Sequence, residues 1–172
     1  AGKVRIAITG ATGSLGGALI ERLAGEVQQT RVREPWRVVA ISRDEVKSGD
    51  LSDRWSERFP ALRCVLADVR DPERLADVFH GCDVVVHAAA LKRIGHSVYS
   101  PGEILKTNVQ GTVNVIRAAA DAGVGRVVVI SSDKAVEATN LYGTSKAMAE
   151  GYAVQSNSIV LPRGTRVSCV RY

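Results

Sequence analysis

Short apolar runs rich in valine and isoleucine alternate with longer amphipathic segments along the 172-residue chain. Continuous apolar runs of this length are typical of strands buried on both faces of a parallel sheet. The pattern predicts strands at Val4–Thr9, Trp36–Ile41, Leu62–Leu66, Val84–His87, Val127–Ser131 and Val167–Val170. Between them it predicts helices at Ser14–Ala24, Asp44–Phe59, Pro72–Phe79, Glu103–Ala122 and Leu141–Val154.

The ends of several predicted helices carry residues that favour a helix boundary. Ser14 can cap the first helix, Asp71 and Pro72 form an N-cap and first turn, and Gly123 follows a helix as a C-cap residue does. Strands and helices that alternate in this order predict an α/β fold, a doubly wound parallel sheet (Rossmann fold) with helices on both faces.

Composition and charge narrow the class of protein. Apolar residues make up 45% of the chain and charged residues 24%, as in soluble globular proteins. No apolar run approaches the roughly 20 residues that span a bilayer, and the chain begins in a strand pattern rather than a signal peptide. We therefore expect a cytoplasmic protein that does not bind a membrane, with Cys64, Cys82 and Cys169 as reduced core residues and with no metal site.

The net charge of +5 raises the question of a polyanionic partner. Arginine and lysine are scattered and nearly balanced by acidic residues, and aromatic residues are only 5% of the chain. This pattern argues against nucleic acid, whereas an anionic small ligand such as a phosphate-bearing cofactor explains the basic bias. The histidines His80, His87 and His96 share no spacing and indicate structural roles.

A glycine-rich loop follows the first strand. In "ITGATGSLGGAL" the glycines Gly10, Gly13 and Gly16 have the spacing G-x-x-G-x-x-G and lead into a helix. Glycines let the backbone turn sharply near a pyrophosphate, and the helix N-terminus offers free N–H groups to the phosphates. The context predicts dinucleotide binding, with Thr12, Ser14 and Leu15 as further contact residues.

The end of the second strand bears on the choice of dinucleotide. An acidic residue there accepts from the ribose 2′-hydroxyl of NAD, whereas an arginine binds the 2′-phosphate of NADP. In "ISRDE", Arg43 precedes Asp44, so NADP is favoured over NAD. We expect Lys47, one turn further, to contact the cofactor as well.

Two further strand exits fit the same cofactor. Asp68 and Val69 follow the third strand, where a carboxylate could accept from the adenine amino group. The alanines that follow the fourth strand would let a cofactor lie against the backbone; they are Ala88, Ala89 and Ala90. Lys92 comes next and could reach both cofactor and substrate, and we expect Ser131 at the fifth strand to contact the cofactor.

Tyr142 and Lys146 lie four residues apart on a predicted helix, so their side chains leave the same face. A nearby ammonium favours the tyrosinate form, and Lys146 could also hydrogen-bond the nicotinamide ribose. The pair supplies a base for an alcohol whose carbon passes a hydride to NADP. We therefore expect residues 1–172 to form one NADP-binding domain that carries the catalytic residues.

The motifs together resemble the extended short-chain dehydrogenases/reductases, a family that often modifies nucleotide sugars. More narrowly, the chain resembles the soluble inverting UDP-N-acetylglucosamine 4,6-dehydratases of polysaccharide biosynthesis. The motifs that carry the resemblance are "SRDE", "ADVRD", "HAAALK", "KTNVQGT", "SSDKA" and "NLYGTSK", in this order. The pair Asp133–Lys134 ahead of the Tyr-x-x-x-Lys is the most discriminating of them.

The resemblance implies a role for each of several residues. Tyr142 would take the C4 hydroxyl proton, Lys134 would remove the C5 proton, and Asp133 would protonate the departing C6 hydroxyl. Ser132 would hydrogen-bond the sugar, and Asn108 would order the catalytic lysine beside the cofactor. The substrate contacts implied are those of Lys92, Ser132, Lys134 and Tyr142.

Other interpretations stay open at this point. An epimerase or reductase of nucleotide sugars would share the glycine loop and the Tyr-x-x-x-Lys without needing Asp133–Lys134. Members of the family generally continue with a lobe that grips the nucleotide, which is expected to be absent here. A truncated piece of a longer enzyme, or a non-catalytic NADP-binding module, would explain that absence. We expect the protein to form a homo-oligomer.

Overall fold

The computed structural model describes residues 3–29, 36–92 and 99–172. It contains one parallel sheet in the order β3-β2-β1-β4-β5-β6, which confirms the predicted doubly wound α/β fold. All six predicted strands are confirmed to within one residue at each end. Their bounds are β1 Val4–Thr9, β2 Trp36–Ser42, β3 Leu62–Leu66, β4 Val84–His87, β5 Arg126–Ile130 and β6 Arg166–Val170.

Helices cover both faces of the sheet. They are α1 Ser14–Gln29, α2 Glu45–Trp55, α3 Pro72–Phe79, α4 Pro101–Ile104, α5 Gly111–Asp121 and α6 Leu141–Val160. Leu105–Gln110 is π-helical and joins α4 to α5 into one continuous rod. Short 3₁₀ turns occupy Asp133–Ala135 and Leu161–Arg163.

Three helices differ from the sequence prediction by four or more residues at one end, and the burial pattern explains two of these differences. The helix α2 stops at Trp55, four residues early, and the chain turns so that Phe59 packs into the core with 1% of its surface exposed. The helix α6 runs on to Val160 because its buried positions continue through Ser156, whose hydroxyl donates to the Ala153 carbonyl. The helix α1 extends beyond Ala24 to Gln29.

Two apolar layers hold the sheet, one on each face. Along β2, Val38 and Ala40 pack with α1 and α2, whereas Val39 and Ile41 pack with α3, α5 and α6. All four side chains are at most 4% exposed. Both faces of a parallel sheet are covered in this way, so successive strand residues are apolar rather than alternating with polar ones.

Polar side chains are also buried at the carboxyl end of the sheet. His87 is 1% exposed; its Nδ1 lies 2.8 Å from Thr9 Oγ1 and its Nε2 lies 3.0 Å from Thr112 Oγ1. Because the Thr112 hydroxyl donates to the Asn108 carbonyl at 2.7 Å, it accepts from His87 Nε2. His87 is thereby held as a neutral imidazole, and burial, together with the positive charge of Lys146, lowers its pKa to about 3. This environment agrees with the structural role predicted for it.

Within the residues described, no helix is long and apolar enough to cross a membrane. In the same ranges, no three or more histidine, cysteine or acidic side chains gather into a cluster that could hold a metal ion. The three cysteines are free thiols, Cys82 in the core and Cys64 and Cys169 half-buried. His80 is exposed, and His96 lies outside the described residues.

Burial of neutral His87 predicts a loss of stability in acid. In the folded protein the pKa of His87 lies below its ordinary value near 6.5. As the pH falls below 6.5, His87 therefore binds a proton in the unfolded chain but not in the folded one, and the free energy of unfolding decreases. Between pH 7.5 and pH 5 this contribution amounts to about 2 kcal/mol. We expect urea unfolding of the His87→Gln variant to lose about 2 kcal/mol less than the wild type over this range. The His80→Gln control should keep the wild-type dependence, and equal losses in all three proteins would contradict the prediction.

Candidate active site

One cleft runs along the carboxyl ends of the strands, where the strand order reverses between β1 and β4. In doubly wound sheets this position is where ligands bind. Every residue predicted to bind the cofactor, except Asn108, lines this cleft. These residues are Gly10, Thr12, Gly13, Ser14, Leu15, Gly16, Arg43, Asp44, Lys47, Asp68, Val69, Ala88, Ala89, Ala90, Lys92, Ser131, Tyr142 and Lys146.

The glycine loop is packed too tightly for side chains at two of its positions. Gly10 has a φ of +72°, and a Cβ there would lie 2.7 Å from the backbone nitrogen of Ala89. A Cβ on Gly16 would lie 2.5 Å from the Gly10 carbonyl oxygen, so α1 rests directly on the loop. The first turn of α1 therefore borders the cleft, and the first N–H groups of a helix have no partner within the helix.

The charged residues after β2 form a connected group. Asp44 caps α2 by accepting from the Lys47 backbone N–H at 3.0 Å, and its carboxylate lies 3.2 Å from Lys47 Nζ. These contacts with Lys47 lower the pKa of Asp44. Arg43 has half of its side chain exposed, with Nη1 3.9 Å from Asp68 Oδ2. Ser42, which the sequence reasoning missed, shares a hydrogen bond of 3.0 Å with Thr12 and accepts from the Asp44 N–H.

Asp68 is engaged by a partner that the sequence did not reveal. Arg70 donates from Nε to both Asp68 oxygens at 3.0 Å and from Nη2 to Oδ2 at 2.6 Å. The hydrogen bond from the Arg70 side chain is the largest cause of the lowered pKa of Asp68. The Arg70 Nη1 group also donates to Glu103 Oε2 at 2.6 Å, so this side of the cleft is tied to α4. An adenine amino group would thus meet a carboxylate that is already paired with arginine.

Asn108 differs from its expected position. It lies behind the wall of the cleft, 1% exposed, because the π-helical segment turns its amide inward. Its Oδ1 accepts from Leu91 N at 2.8 Å, and its Nδ2 donates to the Leu91 carbonyl and to Ser145 Oγ, each at 3.0 Å. Asn108 therefore holds the chain after β4 against α6 through Ser145, the neighbour of Lys146.

Lys146 is a buried lysine at the end of the cleft near β5. The residue is 5% exposed, and its Nζ donates to the Ile130 carbonyl at 2.6 Å. Burial lowers the pKa of Lys146, an effect opposed by Cys169 and Glu150. Tyr142 lies one turn earlier on α6 and also lines the cleft, so the helix presents both side chains to it as predicted.

The pair Asp133–Lys134 stands on the 3₁₀ turn after β5, outside the lining of the cleft. Lys134 Nζ donates to Asp133 Oδ2 at 2.7 Å, and the two side chains are 59% and 66% exposed. This hydrogen bond raises the pKa of Lys134 and lowers that of Asp133. Ser132 caps the turn: its hydroxyl donates to Asp133 Oδ1 at 2.9 Å and accepts from the Lys134 N–H at 3.3 Å.

The turn touches the first turn of α6 directly. A Cβ on Gly143 would lie 2.3 Å from the Lys134 carbonyl oxygen, so only glycine permits this approach next to Tyr142. Asn140 fixes the start of α6 by accepting from Gly143 N at 2.9 Å. Between turn and helix, Glu137 has a φ of +48°, which is uncommon for a residue with a side chain.

Tyr172 and Thr107 line the cleft and escaped the sequence reasoning. Tyr172 follows β6, and its carbonyl accepts from Asp133 N at 3.2 Å. Its position just after a predicted strand was an available signal, because the carboxyl ends of parallel strands share one edge. Thr107 has a buried hydroxyl without a hydrogen-bond partner among the described residues, and nothing in its sequence context marks it.

Comparisons with known proteins agree with this architecture. Among solved structures, "Pen" from Bacillus thuringiensis superposes with a TM-score of 0.90 at 29% identity, covering 99% of this chain and 51% of that one. DesIV, a dTDP-glucose 4,6-dehydratase from Streptomyces venezuelae with NAD and TYD bound, has a TM-score of 0.78 at 27% identity, covering 98% and 55%.

Curated relatives include two kinds of enzyme. The inverting UDP-N-acetylglucosamine 4,6-dehydratase of Campylobacter jejuni is 36% identical over 170 residues, which are 99% of this chain and 48% of that protein. The UDP-glucose 4-epimerase of Rickettsia felis is 38% identical over 163 residues, covering 95% and 46%. The chain thus spans about half the length of the curated relatives it matches.

A family model described as "Polysaccharide biosynthesis protein" matches residues 6–172. That range holds the glycine loop, the cleft and the Asp133–Lys134 turn, so the match covers all the motifs on which the resemblance was based. The predicted resemblance is confirmed, and the chain belongs to the polysaccharide biosynthesis protein family.

Proposed function

We propose that residues 1–172 form the NADP-binding and catalytic domain of a nucleotide-sugar 4,6-dehydratase that inverts C5 of UDP-N-acetylglucosamine. The observation that carries the proposal is the contact of the Asp133–Lys134 turn with Gly143, beside Tyr142. It brings an acid/base pair to the rim of a cleft that already holds a tyrosine and a buried lysine. Redox at an alcohol needs only the tyrosine and the lysine, whereas elimination of water needs a second acid and base.

The residues of the cleft fit a dinucleotide. The tight glycine loop leaves the start of α1 open to a pyrophosphate, which a helix N-terminus stabilises. The backbone of Ala88–Ala90 borders the other side with small side chains. A bound nicotinamide dinucleotide would supply the hydride acceptor for C4 of the sugar and the hydride donor for C6.

Charge at the end of β2 supports NADP over NAD. The Asp44 carboxylate is occupied with the cap of α2 and with Lys47 Nζ, which reduces its capacity to accept from a ribose 2′-hydroxyl. Arg43 is half-exposed and only loosely paired with Asp68, so its guanidinium is available to a 2′-phosphate. The hydroxyl of Thr12 in the glycine loop lies 3.0 Å from that of Ser42, so the loop and the end of β2 are joined directly.

Tyr142 would act first, as the base that takes the C4 hydroxyl proton. Lys146 lies one turn after the tyrosine on the same helix, and its ammonium would stabilise the tyrosinate and orient the ribose. The ketone at C4 then acidifies the C5 proton. Lys134 would take that proton while Asp133 protonates the C6 hydroxyl, which leaves as water.

These last roles require a neutral lysine and a protonated aspartic acid, the reverse of the ion pair that Lys134 and Asp133 form in the structure. Transfer of one proton from Lys134 to Asp133 converts the charged pair into the neutral pair. The hydrogen bond of 2.7 Å from Lys134 Nζ to Asp133 Oδ2 provides a direct path for this transfer. Burial disfavours charged groups. A sugar that covers the exposed pair would therefore favour the neutral state and prepare both residues for elimination.

A second candidate function is epimerisation at C4, because the Rickettsia relatives with this name match the chain equally well. An epimerase would use Tyr142 and the dinucleotide but would leave C5 and C6 unchanged. A reductase of the same substrates would consume NADPH, whereas the dehydratase regenerates its cofactor in every turnover. Product analysis separates all three.

Removal of Arg43 should weaken NADP selectively. A charge-assisted hydrogen bond contributes about 1.5–3 kcal/mol, so Arg43→Ala should weaken NADP binding roughly 10- to 100-fold in titration calorimetry. NAD, which lacks the 2′-phosphate, should bind as before. Arg22→Ala on the outer face of α1, where the side chain is 78% exposed, serves as the control and should change neither affinity. Equal losses of affinity for NADP and NAD in Arg43→Ala would contradict the proposal that Arg43 binds the 2′-phosphate.

Incubation of the protein with NADP and UDP-N-acetylglucosamine should produce a 4-keto-6-deoxy sugar, detected by NMR. Lys134→Ala removes the C5 base and should slow its formation at least about 100-fold without changing NADP affinity. The matched control is Arg163→Ala, which breaks an equally exposed ion pair with Asp121 far from the cleft and should keep the wild-type rate.

Each alternative gives another result in this experiment. A C4-epimerised sugar that still forms with Lys134→Ala identifies an epimerase. If the protein binds NADP but leaves UDP-N-acetylglucosamine unchanged even at high protein concentration, the result would contradict catalysis by this chain. It would instead identify a non-catalytic NADP-binding module.

A further inference from the structure

Glu150 lies one turn after Lys146 on α6 and joins two strand ends. Its side chain is 17% exposed. Its Oε2 accepts from Ser131 Oγ at 2.9 Å and from Arg171 Nε at 3.1 Å, and its Oε1 accepts from Arg171 Nη2. The side-chain hydrogen bond with Arg171 is the main reason why the pKa of Glu150 is lowered. One carboxylate thus holds the residues that leave β5 and β6 against α6.

Both strand ends lead directly into the candidate active site. Ser131 follows Ile130, whose carbonyl accepts from Lys146 Nζ, and Ser131 N donates to the Val170 carbonyl at 2.7 Å. Arg171 is followed by Tyr172, which lines the cleft. Any movement of the carboxylate would therefore shift the acceptor of the Lys146 ammonium and the adjacent wall of the cleft.

The charge of Glu150 acts on Lys146 as well. Burial is the largest influence on the pKa of Lys146 and lowers it, whereas Cys169 and Glu150 raise it. His87 on β4 interacts electrostatically with Lys146, Arg171 after β6 pairs with Glu150, and Tyr142 lies one turn earlier on the same helix. His87 stays neutral above a pH of about 3, so Glu150 is the carboxylate that opposes the burial of this lysine.

We propose that Glu150 and Arg171 form a positioning pair for Lys146: Glu150 fixes its carbonyl acceptor through Ser131 and favours the charged form of the buried ammonium, while Arg171 pairs with the carboxylate and offsets part of its charge. The inference rests on the proposed function only for the use of Lys146 in catalysis. The pair itself stands on contacts within the protein and can be tested without substrate.

The test is an NMR titration of the protein labelled with ¹³Cε-lysine, with the Lys146 signal assigned by Lys146→Arg. Glu150→Gln preserves the shape of the side chain but removes its charge, so the titration midpoint of Lys146 should fall by about one pH unit. Arg171→Gln removes the opposite charge and should raise the midpoint. The double variant should return to within a few tenths of a unit of the wild type. Each titration is repeated with Cys169→Ser, because a thiolate would also raise the midpoint.

The opposite signs separate a positioning pair from a purely structural tie. A structural tie would move the midpoint in the same direction in both single variants, or in neither, and this result would overturn the proposal. Glu73→Gln, on the exposed first turn of α3, is the control and should leave the midpoint unchanged. If Glu150→Gln does not fold, the Arg171→Gln variant alone tests the proposal. An upward shift of the Lys146 midpoint in that variant supports the pair, and an unchanged midpoint refutes it. Shifts as stated in a protein that forms no 4-keto sugar would support the pair while contradicting the proposed function.

Discussion

The close approach of two strand exits is the constraint on which the rest of the structure depends. Gly10 after β1 lies against the backbone of Ala88 and Ala89 after β4, at a distance that leaves no space for a Cβ. Beyond this contact the two segments separate. The segment after β1 enters α1, the segment after β4 runs toward Asn108, and the cleft opens between them. Below this point His87 bridges Thr9 on β1 and Thr112 on α5, so the floor of the cleft is fixed by buried hydrogen bonds.

The π-helical segment is the second element that shapes the cleft. A regular α-helix through Leu105–Gln110 would orient Asn108 differently, and the Leu91 backbone would lose two hydrogen bonds. Asn108 itself is buried, and an unsatisfied buried polar group costs about 1–3 kcal/mol, so these contacts favour the π turn. Such turns inside helices occur frequently at functional sites.

Two lysines at the same end of the sheet occupy opposite electrostatic environments. Lys146 is buried, and burial lowers its pKa, whereas Lys134 is 59% exposed and its hydrogen bond with Asp133 raises its pKa. Glu150 favours the charged form of Lys146 from within the fold, whereas the exposed Lys134 is open to a ligand that would change its surroundings. This contrast fits the proposed roles: Lys146 stabilises the tyrosinate as an ammonium, whereas Asp133 and Lys134 exchange a proton and act as acid and base.

The sequence by itself determined the sheet, the glycine loop and the Tyr142–Lys146 face, because apolar runs, glycine spacing and an i, i+4 relation are local properties of the chain. It also brought the cofactor residues to one edge, since parallel strands end together. The tertiary structure alone decided the inward turn of Asn108, the pairing of Asp68 with Arg70 and the contacts of Glu150 with Ser131 and Arg171. These contacts join residues whose types are common on protein surfaces, and only packing between distant segments sets which partners meet.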